Sequence, residues 1–256
     1  MTVDGDLVAR LRAAGCVFAG DEARLLLGEA ASPSELAALL ARRESGEPLE
    51  QVLGWVEFCG RRVHVAPGVF VPRRRTEWLV SCAAAVTPAG AVLVELCCGV
   101  GAVARVLGEA TRCRELHAAD IDPIAVACAK RNLDSVGGEV WCGDLYDALP
   151  GRLRGRIDVL VANAPYVPSS DVSSMPREAR EHEPLHALDG GSDGVDVQRR
   201  IASAAGDWLS PRGHLLVETS GRQGPLTVAA FRAGGLAARV ERDEELDATV
   251  VIGSHL

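Results

Sequence analysis

Two periodicities divide the chain. Up to about residue 47 apolar positions recur at helical spacing: Val3, Leu7, Val8 and Leu11 lead to a stop at Gly15, a second short helix is predicted over 21–30, and a third starts after Ser32 with Leu36, Leu39 and Leu40 on one face. Ser32-Pro33-Ser34-Glu35 reads as a capping box with proline in the first turn. Three such helices bury little alone and predict a small N-terminal helical unit over 1–47, closed by Ser45-Gly46-Glu47-Pro48. The spacing then changes. Trp55-Val56-Glu57-Phe58 and Arg62-Val63-His64-Val65 alternate about Cys59-Gly60-Arg61, which predicts a hairpin within a linker over 48–72 that ends on Pro67-Gly68-Val69-Phe70-Val71-Pro72.

The remainder, 73–256, is predicted as a third unit. After a helix over 76–86, strands over 92–96, 115–119, 140–142 and 157–162 are interleaved with helices over 102–109 and 121–132. Strand, turn and helix in repetition is the signature of an α/β fold with a doubly wound parallel sheet. A helix over 195–208, a strand over 214–218 and a helix over 226–234 continue the pattern, and strands near 237–241 and 249–252 predict an antiparallel hairpin at the sheet edge. The irregular stretch 168–194 is too long for a plain connection, and such segments are usually lids or binding loops. Its His182 reads as a structural hydrogen-bonding residue rather than a base.

Composition narrows the classes of function. At 256 residues the chain can hold one sizeable core and a smaller unit. A net charge of −8 argues against a broad nucleic-acid-binding face, because phosphate neutralisation supplies most of such affinity, so nucleic acid is expected only as an indirect contact if at all. No apolar run approaches the roughly 18 residues of a membrane span, and Met1-Thr2-Val3-Asp4 does not open a signal peptide. A cytoplasmic setting without a membrane partner is therefore expected. Cys16, Cys59, Cys82, Cys97, Cys98, Cys113, Cys128 and Cys142 show neither a C-x-x-C pair nor zinc spacing. They read as reduced core residues, and no metal is expected. The run Arg73-Arg74-Arg75 reads as solvated surface, with contact to RNA or an acidic partner as the alternative.

Candidate chemistry gathers at Val159 to Pro168. An apolar strand there is stopped by Asn163-Ala164-Pro165-Tyr166, and in an open α/β sheet ligands bind at that end of the strands. Pro165 holds Ala164 extended, which aims the Ala164 carbonyl. With the Asn163 side-chain oxygen it makes two acceptors, a pair suited to a planar NH2 group that donates twice. An ordinary Asn/Pro turn is the alternative. Upstream, Glu95-Leu96-Cys97-Cys98-Gly99-Val100-Gly101 is a glycine-bearing strand-to-helix turn, and Asp120 ends the next strand where a carboxylate suits ribose hydroxyls. Nicotinamide and S-adenosylmethionine folds share that arrangement. The turn is not G-x-G-x-x-G, because Cys97 stands where the first glycine would be.

Together with Asn163-Ala164-Pro165-Tyr166, the turn looks like that of class I methyltransferases acting on planar nitrogen, whose motif is Asn-Pro-Pro-Tyr. Further stretches, Val52-Leu53-Gly54, Glu57-Phe58, Val71-Pro72-Arg73, Thr76-Glu77, His182-Glu183-Pro184, Ala187-Leu188-Asp189-Gly190-Gly191, Asp193-Gly194 and Arg199-Arg200-Ile201, resemble the HemK/PrmC family of protein N5-glutamine methyltransferases over about residues 48–253. The resemblance implies a Rossmann-like class I S-adenosylmethionine-dependent methyltransferase sheet behind a small helical domain. It also implies transfer of a methyl group to the side-chain amide of a glutamine in a protein partner, a peptide chain release factor being one candidate. By the same likeness Cys97, Cys98, Gly99, Val100 and Gly101 would face the methionine part of the cofactor, with Glu95 supporting the loop. Asp120, with Ile121 beside it, would hold the ribose, Asp144 and Leu145 would flank the adenine, and Asn163, the Ala164 carbonyl, Pro165 and Tyr166 would hold the acceptor. The chain departs from the family pattern at Ala164, at Cys97 and at Arg74-Arg75, where proline, glycine and a proline-containing sequence are usual. Two other readings remain: methylation of an exocyclic nucleobase amine, which needs a flipped base and a basic entry, and a non-catalytic S-adenosylmethionine-binding protein.

Overall fold

The computed structural model describes residues 5–255, so Val3 of the first predicted helix lies outside the described residues. Helices α1 (Gly5–Ala13), α2 (Ala19–Glu29) and α3 (Pro33–Glu44) close a core of their own through Leu7, Leu11, Ala23, Leu26 and Leu40. The capping box forms with one shift. Ser32 Oγ accepts the Glu35 N–H at 3.2 Å, whereas the Glu35 carboxylate takes the N–H of Ala31, one residue earlier than a standard box, at 2.7 Å. A short helix, α4 (Leu49–Leu53), occupies part of the predicted linker. Five residues are too few to display a period, which is why the sequence pattern did not announce it. Gly54 ends the helix in the left-handed region at φ 80°. The hairpin follows as β1 (Trp55–Phe58) and β2 (Arg61–His64), paired antiparallel.

Beyond α5 (Glu77–Val86) come β3 (Val92–Leu96), α6 (Ala102–Ala110), β4 (Glu115–Asp120), α7 (Pro123–Leu133), β5 (Glu139–Cys142) and β6 (Ile157–Ala162). The chain continues through α8 (Arg177–His182), α9 (Asp196–Trp208), β7 (Leu209–Thr219), α10 (Gly224–Ala233), β8 (Leu236–Asp243) and β9 (Ala248–His255). Their sheet has the order β5-β4-β3-β6-β7-β9-β8, with β9 antiparallel between β7 and β8. Each adjacent pair in the run β5-β4-β3-β6-β7 is parallel. This is the Rossmann-like α/β sheet of class I methyltransferases. Alternation along β6 sends Val159 and Val161 into one apolar layer and Leu160 and Ala162 into the other, so the strand is buried on both faces.

Two edges of the prediction move. The edge hairpin is present, but β9 lies inside the sheet and only β8 is the edge. Strand β7 begins at Leu209 rather than 214, because the register jumps from Ile157 opposite Leu209 to Val159 opposite His214 and the loop so formed takes up Pro211. Topology then fixes where a ligand can go. The order reverses between β3 and β6, and their carboxyl ends open a crevice there.

The segment after β6 is pinned at its base. Val167 and Gly190 exchange a hydrogen bond of 2.8 Å, Ser169 N–H donates to the Gly191 carbonyl at 2.9 Å, and Gln223 Nε2 donates to the carbonyls of Tyr166 at 2.7 Å and Asp193 at 2.9 Å. Gly194 sits in the middle of this junction at φ 77°, and a Cβ there would run into Gln223 Nε2 and the Tyr166 carbonyl. Gly194→Ala should therefore cost roughly 2–4 kcal/mol of stability, the sum of left-handed strain and a displaced buried amide. Gly28→Ala is the control: the helical site is open, and the change should add about 1 kcal/mol. Urea unfolding of both variants measures the difference, and equal midpoints would refute the junction.

Candidate active site

Asn163 leaves the end of β6 with its backbone flanked by β3 and β7. Its Nδ2 donates to Thr76 Oγ1 at 3.2 Å, which leaves the side-chain oxygen as the uncommitted acceptor. Ala164 is buried, and Tyr166 donates its hydroxyl to Glu218 Oε1 at 3.3 Å. Burial raises the pKa of the Tyr166 phenol far above its usual range, with the Glu218 charge adding to the effect, so that group is a hydrogen-bond donor and not a base. Asn163 and Pro165 line two chambers at once. One, of about 600 Å³, also takes in Glu95, Cys97, Cys98, Gly99, Val100, Asp120, Ile121, Asp144 and Leu145. The other, of about 300 Å³, takes in Ala164, Tyr166, Arg73, Arg75, Met175 and Leu188. Of the residues expected to hold the cofactor or the acceptor, Gly101 alone lines neither chamber. It caps α6 at φ 74°, where a Cβ would press on Ala129 at 3.1 Å.

The larger chamber is built by carboxylates that serve the backbone. Asp120 accepts the Gly99 N–H at 2.7 Å and the Asp122 N–H at 2.9 Å, tying the first turn to the second strand tip. Glu95 accepts the Ala104 N–H at 2.8 Å and so holds the start of α6. Burial raises the pKa of both, and for Glu95 the value is pushed up to about 8. Cys97 stands at φ 53°, a region that favours glycine, at a cost of about 1 kcal/mol. Gly99 is open to the chamber, since a Cβ there would meet nothing within 4 Å. Asp144 is less free than the sequence suggested, because Arg200 of α9 holds it at 2.7 Å across the rim. Among the described residues no group of three His, Cys, Asp or Glu is arranged to hold a metal ion.

Several site residues escaped sequence reasoning. Thr76 and Glu218 touch the Asn163-to-Tyr166 loop directly, and the only available signal for Glu218 was an acid at the end of an apolar strand. The arginine run divides. Arg73 makes two contacts with the buried Glu183 carboxylate, at 2.6 and 2.7 Å, while Arg74 and Arg75 are exposed, Arg75 with its Nε 3.6 Å from Glu218. Two of the three thus stand at the surface as the solvated reading expects, and Arg73 is the one drawn inward. His182 lines neither chamber, and its carbonyl accepts Gln51 Nε2 at 3.3 Å.

A family model described as "Methyltransferase small domain" matches residues 60–182. A release factor glutamine methyltransferase of Geobacter sulfurreducens is 38% identical over 209 residues, 80% of this chain and 72% of that protein. A 4-amino-L-phenylalanine/4-methylamino-L-phenylalanine methyltransferase of Streptomyces pristinaespiralis is 35% identical over 201 residues, 76% of this chain and 68% of that one. Among solved structures, a methyltransferase from Pyrococcus furiosus superposes with a TM-score of 0.59 at 14% identity, over 87% of this chain and all of that one. The 16S rRNA N2 G1207 methyltransferase of T. Thermophilus, solved with AdoMet and guanosine, gives 0.56 at 19% identity over 79% of this chain and 50% of that one. At such identities the two structures bear on the fold alone.

Glu95 provides a test of the site's electrostatics. Folded, its carboxyl keeps a proton up to about pH 8, whereas the ordinary value is 4.5, so between those values the folded state binds more protons than the unfolded one. Stability of the ligand-free protein should then fall as pH rises through that window, by an amount on the order of 4 kcal/mol from this group. Glu95→Gln should remove that part of the slope. Urea midpoints at several pH values, with and without the substitution, read the difference directly, and parallel curves would show that Glu95 is ionised in the fold.

Proposed function

The chain belongs to the release factor glutamine methyltransferase (HemK/PrmC) family, and from that premise we propose that its Asn163 loop presents the side-chain amide of a glutamine in a release factor to S-adenosylmethionine. The observation that carries the reading is the meeting of the two chambers at Asn163 and Pro165. S-adenosylmethionine is the cofactor, and it fits the residues present. The larger chamber has the volume of a small-molecule site, an open glycine at the turn, and buried acids whose raised pKa a cationic guest would lower. Cys97 to Val100 would hold its methionine part, Asp120 and Ile121 the ribose, and Asp144 and Leu145 the adenine. When bound, it supplies a methyl group on a sulfonium, already activated for transfer.

Positioning is what the protein must add. An amide nitrogen is a poor nucleophile because its lone pair is delocalised into the carbonyl. Two acceptors, Asn163 Oδ1 and the Ala164 carbonyl, would take both of its hydrogens and turn the lone pair toward the larger chamber. Holding reactants in line in this way supplies several kcal/mol of a barrier without any acid or base. The proton leaves only after transfer, and Tyr166, its hydroxyl committed to Glu218, is not needed to remove it.

A second reading has its own support. The S. pristinaespiralis relative acts, by its name, on an aromatic amine of a free amino acid. The same pair of acceptors suits an aryl NH2, so the walls of the smaller chamber and not the loop would choose the bearer. The nucleobase reading has less support: it needs a basic entry, and Arg73 is turned to a buried carboxylate instead.

Incubating the enzyme and S-adenosylmethionine with a bacterial release factor, and in parallel with 4-amino-L-phenylalanine, separates the two. Mass spectrometry should find one methyl group on a single glutamine of the release factor, and labelling of the amino acid alone would select the second reading. On the acceptor that is labelled, Asn163→Ala should lower turnover by about 10² to 10³, while calorimetry with S-adenosylhomocysteine finds affinity within a few-fold of wild type. A wild-type rate in that variant would refute the amide clamp.

A further inference from the structure

The smaller chamber has apolar walls, among them Phe70, Val167, Met175 and Leu188, and two arginines. The two are held differently. Arg73 is fully engaged: its guanidinium meets both oxygens of Glu183, at 2.6 and 2.7 Å, and lies 4.9 Å from the centroid of the Phe70 ring. Arg75 is not. Among the described residues its guanidinium forms no hydrogen bond, and 44% of the side chain is open to solvent.

Glu218 does not neutralise Arg75 as Glu183 neutralises Arg73. Arg75 Nε stands 3.6 Å from the acid, beyond a hydrogen bond, and the same carboxyl oxygen already takes the Tyr166 hydroxyl at 3.3 Å. Burial also pushes the Glu218 pKa up, toward the neutral acid. The arginine is nonetheless fixed in place. Its guanidinium carbon lies 5.8 Å from the centroid of the Tyr166 ring, a contact that steadies the group without using its N–H donors. On the other side it adjoins Thr76, whose hydroxyl accepts Asn163 Nδ2 at 3.2 Å. Arg75 is therefore tied at both ends to the loop that handles the reacting nitrogen, with its donors left over.

A guanidinium stays charged at any working pH, and its planar fork of donors matches a carboxylate. The reacting group is neutral and needs acceptors, which Asn163 and the Ala164 carbonyl supply. A cation beside them serves whatever bears that group. We propose that Arg75 is a specificity-determining residue of the acceptor chamber, receiving a carboxylate on the molecule whose amide or amine nitrogen is held at Asn163. The assignment rests on the amide-clamp reading above. The carboxylate can come from two sources: the α-carboxylate of a free amino acid, or an Asp or Glu side chain beside the glutamine of a protein.

The experiment measures single-turnover transfer at saturating S-adenosylmethionine while the acceptor concentration is varied, which separates half-saturation from limiting rate. The acceptors are the release factor, 4-amino-L-phenylalanine and the methyl ester of that amino acid. Arg75→Met keeps bulk and removes charge. On the acceptor that wild type methylates it should raise the half-saturating concentration about 10- to 100-fold, with the limiting rate changed less than about fivefold and S-adenosylhomocysteine affinity within about twofold. Arg75→Lys should recover part of the loss. If the amino acid is the acceptor, esterification should weaken wild type by the same factor and Arg75→Met by no more than about twofold, because one partner of the pair is already gone. If the release factor is the acceptor, one Asp→Asn or Glu→Gln substitution near its methylated glutamine should behave as the ester does. Unchanged half-saturation in Arg75→Met, or a loss there that simply adds to the loss of every acceptor carboxylate tried, would overturn the proposal while leaving the clamp standing. A wild-type rate in Asn163→Ala, or no transfer to either acceptor, would remove the clamp and this inference with it.

Discussion

Everything at the site hangs on the immobility of β6. The strand is hydrogen-bonded on both edges, to β3 and β7, and buried on both faces, so the residue that follows Ala162 has no freedom to drift. Catalysis by orientation needs that. A displacement of about 1 Å in a positioned acceptor can cost two orders of magnitude in rate, and a loop on a flexible base would spend much of its time misplaced. Pairing fixes the backbone only. The side chain of Asn163 must still be turned, and lateral contacts from elements distant in sequence do that.

Buried acid is the second theme, and each case is balanced differently. Glu95 is met by a helix N-terminus, Asp120 by two backbone N–H groups, Glu183 by the Arg73 guanidinium and the Val71 N–H, and Glu218 by a phenol with an arginine close by. Full charge compensation would make the larger chamber neutral and indifferent to its guest. Backbone donors instead hold Glu95 and Asp120 in place with no cation to neutralise them, so a cationic ligand would favour their ionised forms. At the acceptor side the arginines are present, and the chamber for a neutral amide carries no unbalanced acid of its own.

How far the chain could be read before the structure follows from what kind of signal each part gives. The alternation of strands and helices from Val92 to Ala162 was legible because parallel strands buried on both faces are continuous apolar runs, and the turns between them carry glycine, aspartate and proline. The loop at Asn163 was legible because its chemistry is compressed into four neighbouring residues. Thr76 and Glu218 were not, since each contacts the loop across 87 and 52 residues of chain, and a pairing of that separation leaves no local trace. Arg73 misled for the same reason. A run of charge looks solvated until its distant partners are known, and Glu183 is buried. The short α4 and the start of β7 fell below the length or regularity at which periodicity speaks.

The N-terminal helices acquire a role by the same logic of distant contact. A small helical unit ahead of such a sheet can serve either as a recognition module or as a buttress. Arg43 of α3 is buried against Glu22 at 2.7 Å and reaches Glu178 of α8 at 3.6 Å, and Gln51 of α4 donates to the carbonyls of Val69 and His182. Glu178 and Ala179 of α8 line the smaller chamber, and so does Pro48 at the head of α4. Glu178 is partly exposed and Arg43 keeps Glu22 without it, so the contact braces α8 modestly, together with the Gln51 bond to the His182 carbonyl. The two alternatives then cease to exclude each other: by bracing α8, the helices shape the wall against which an acceptor must fit, and Pro48 is itself part of that wall.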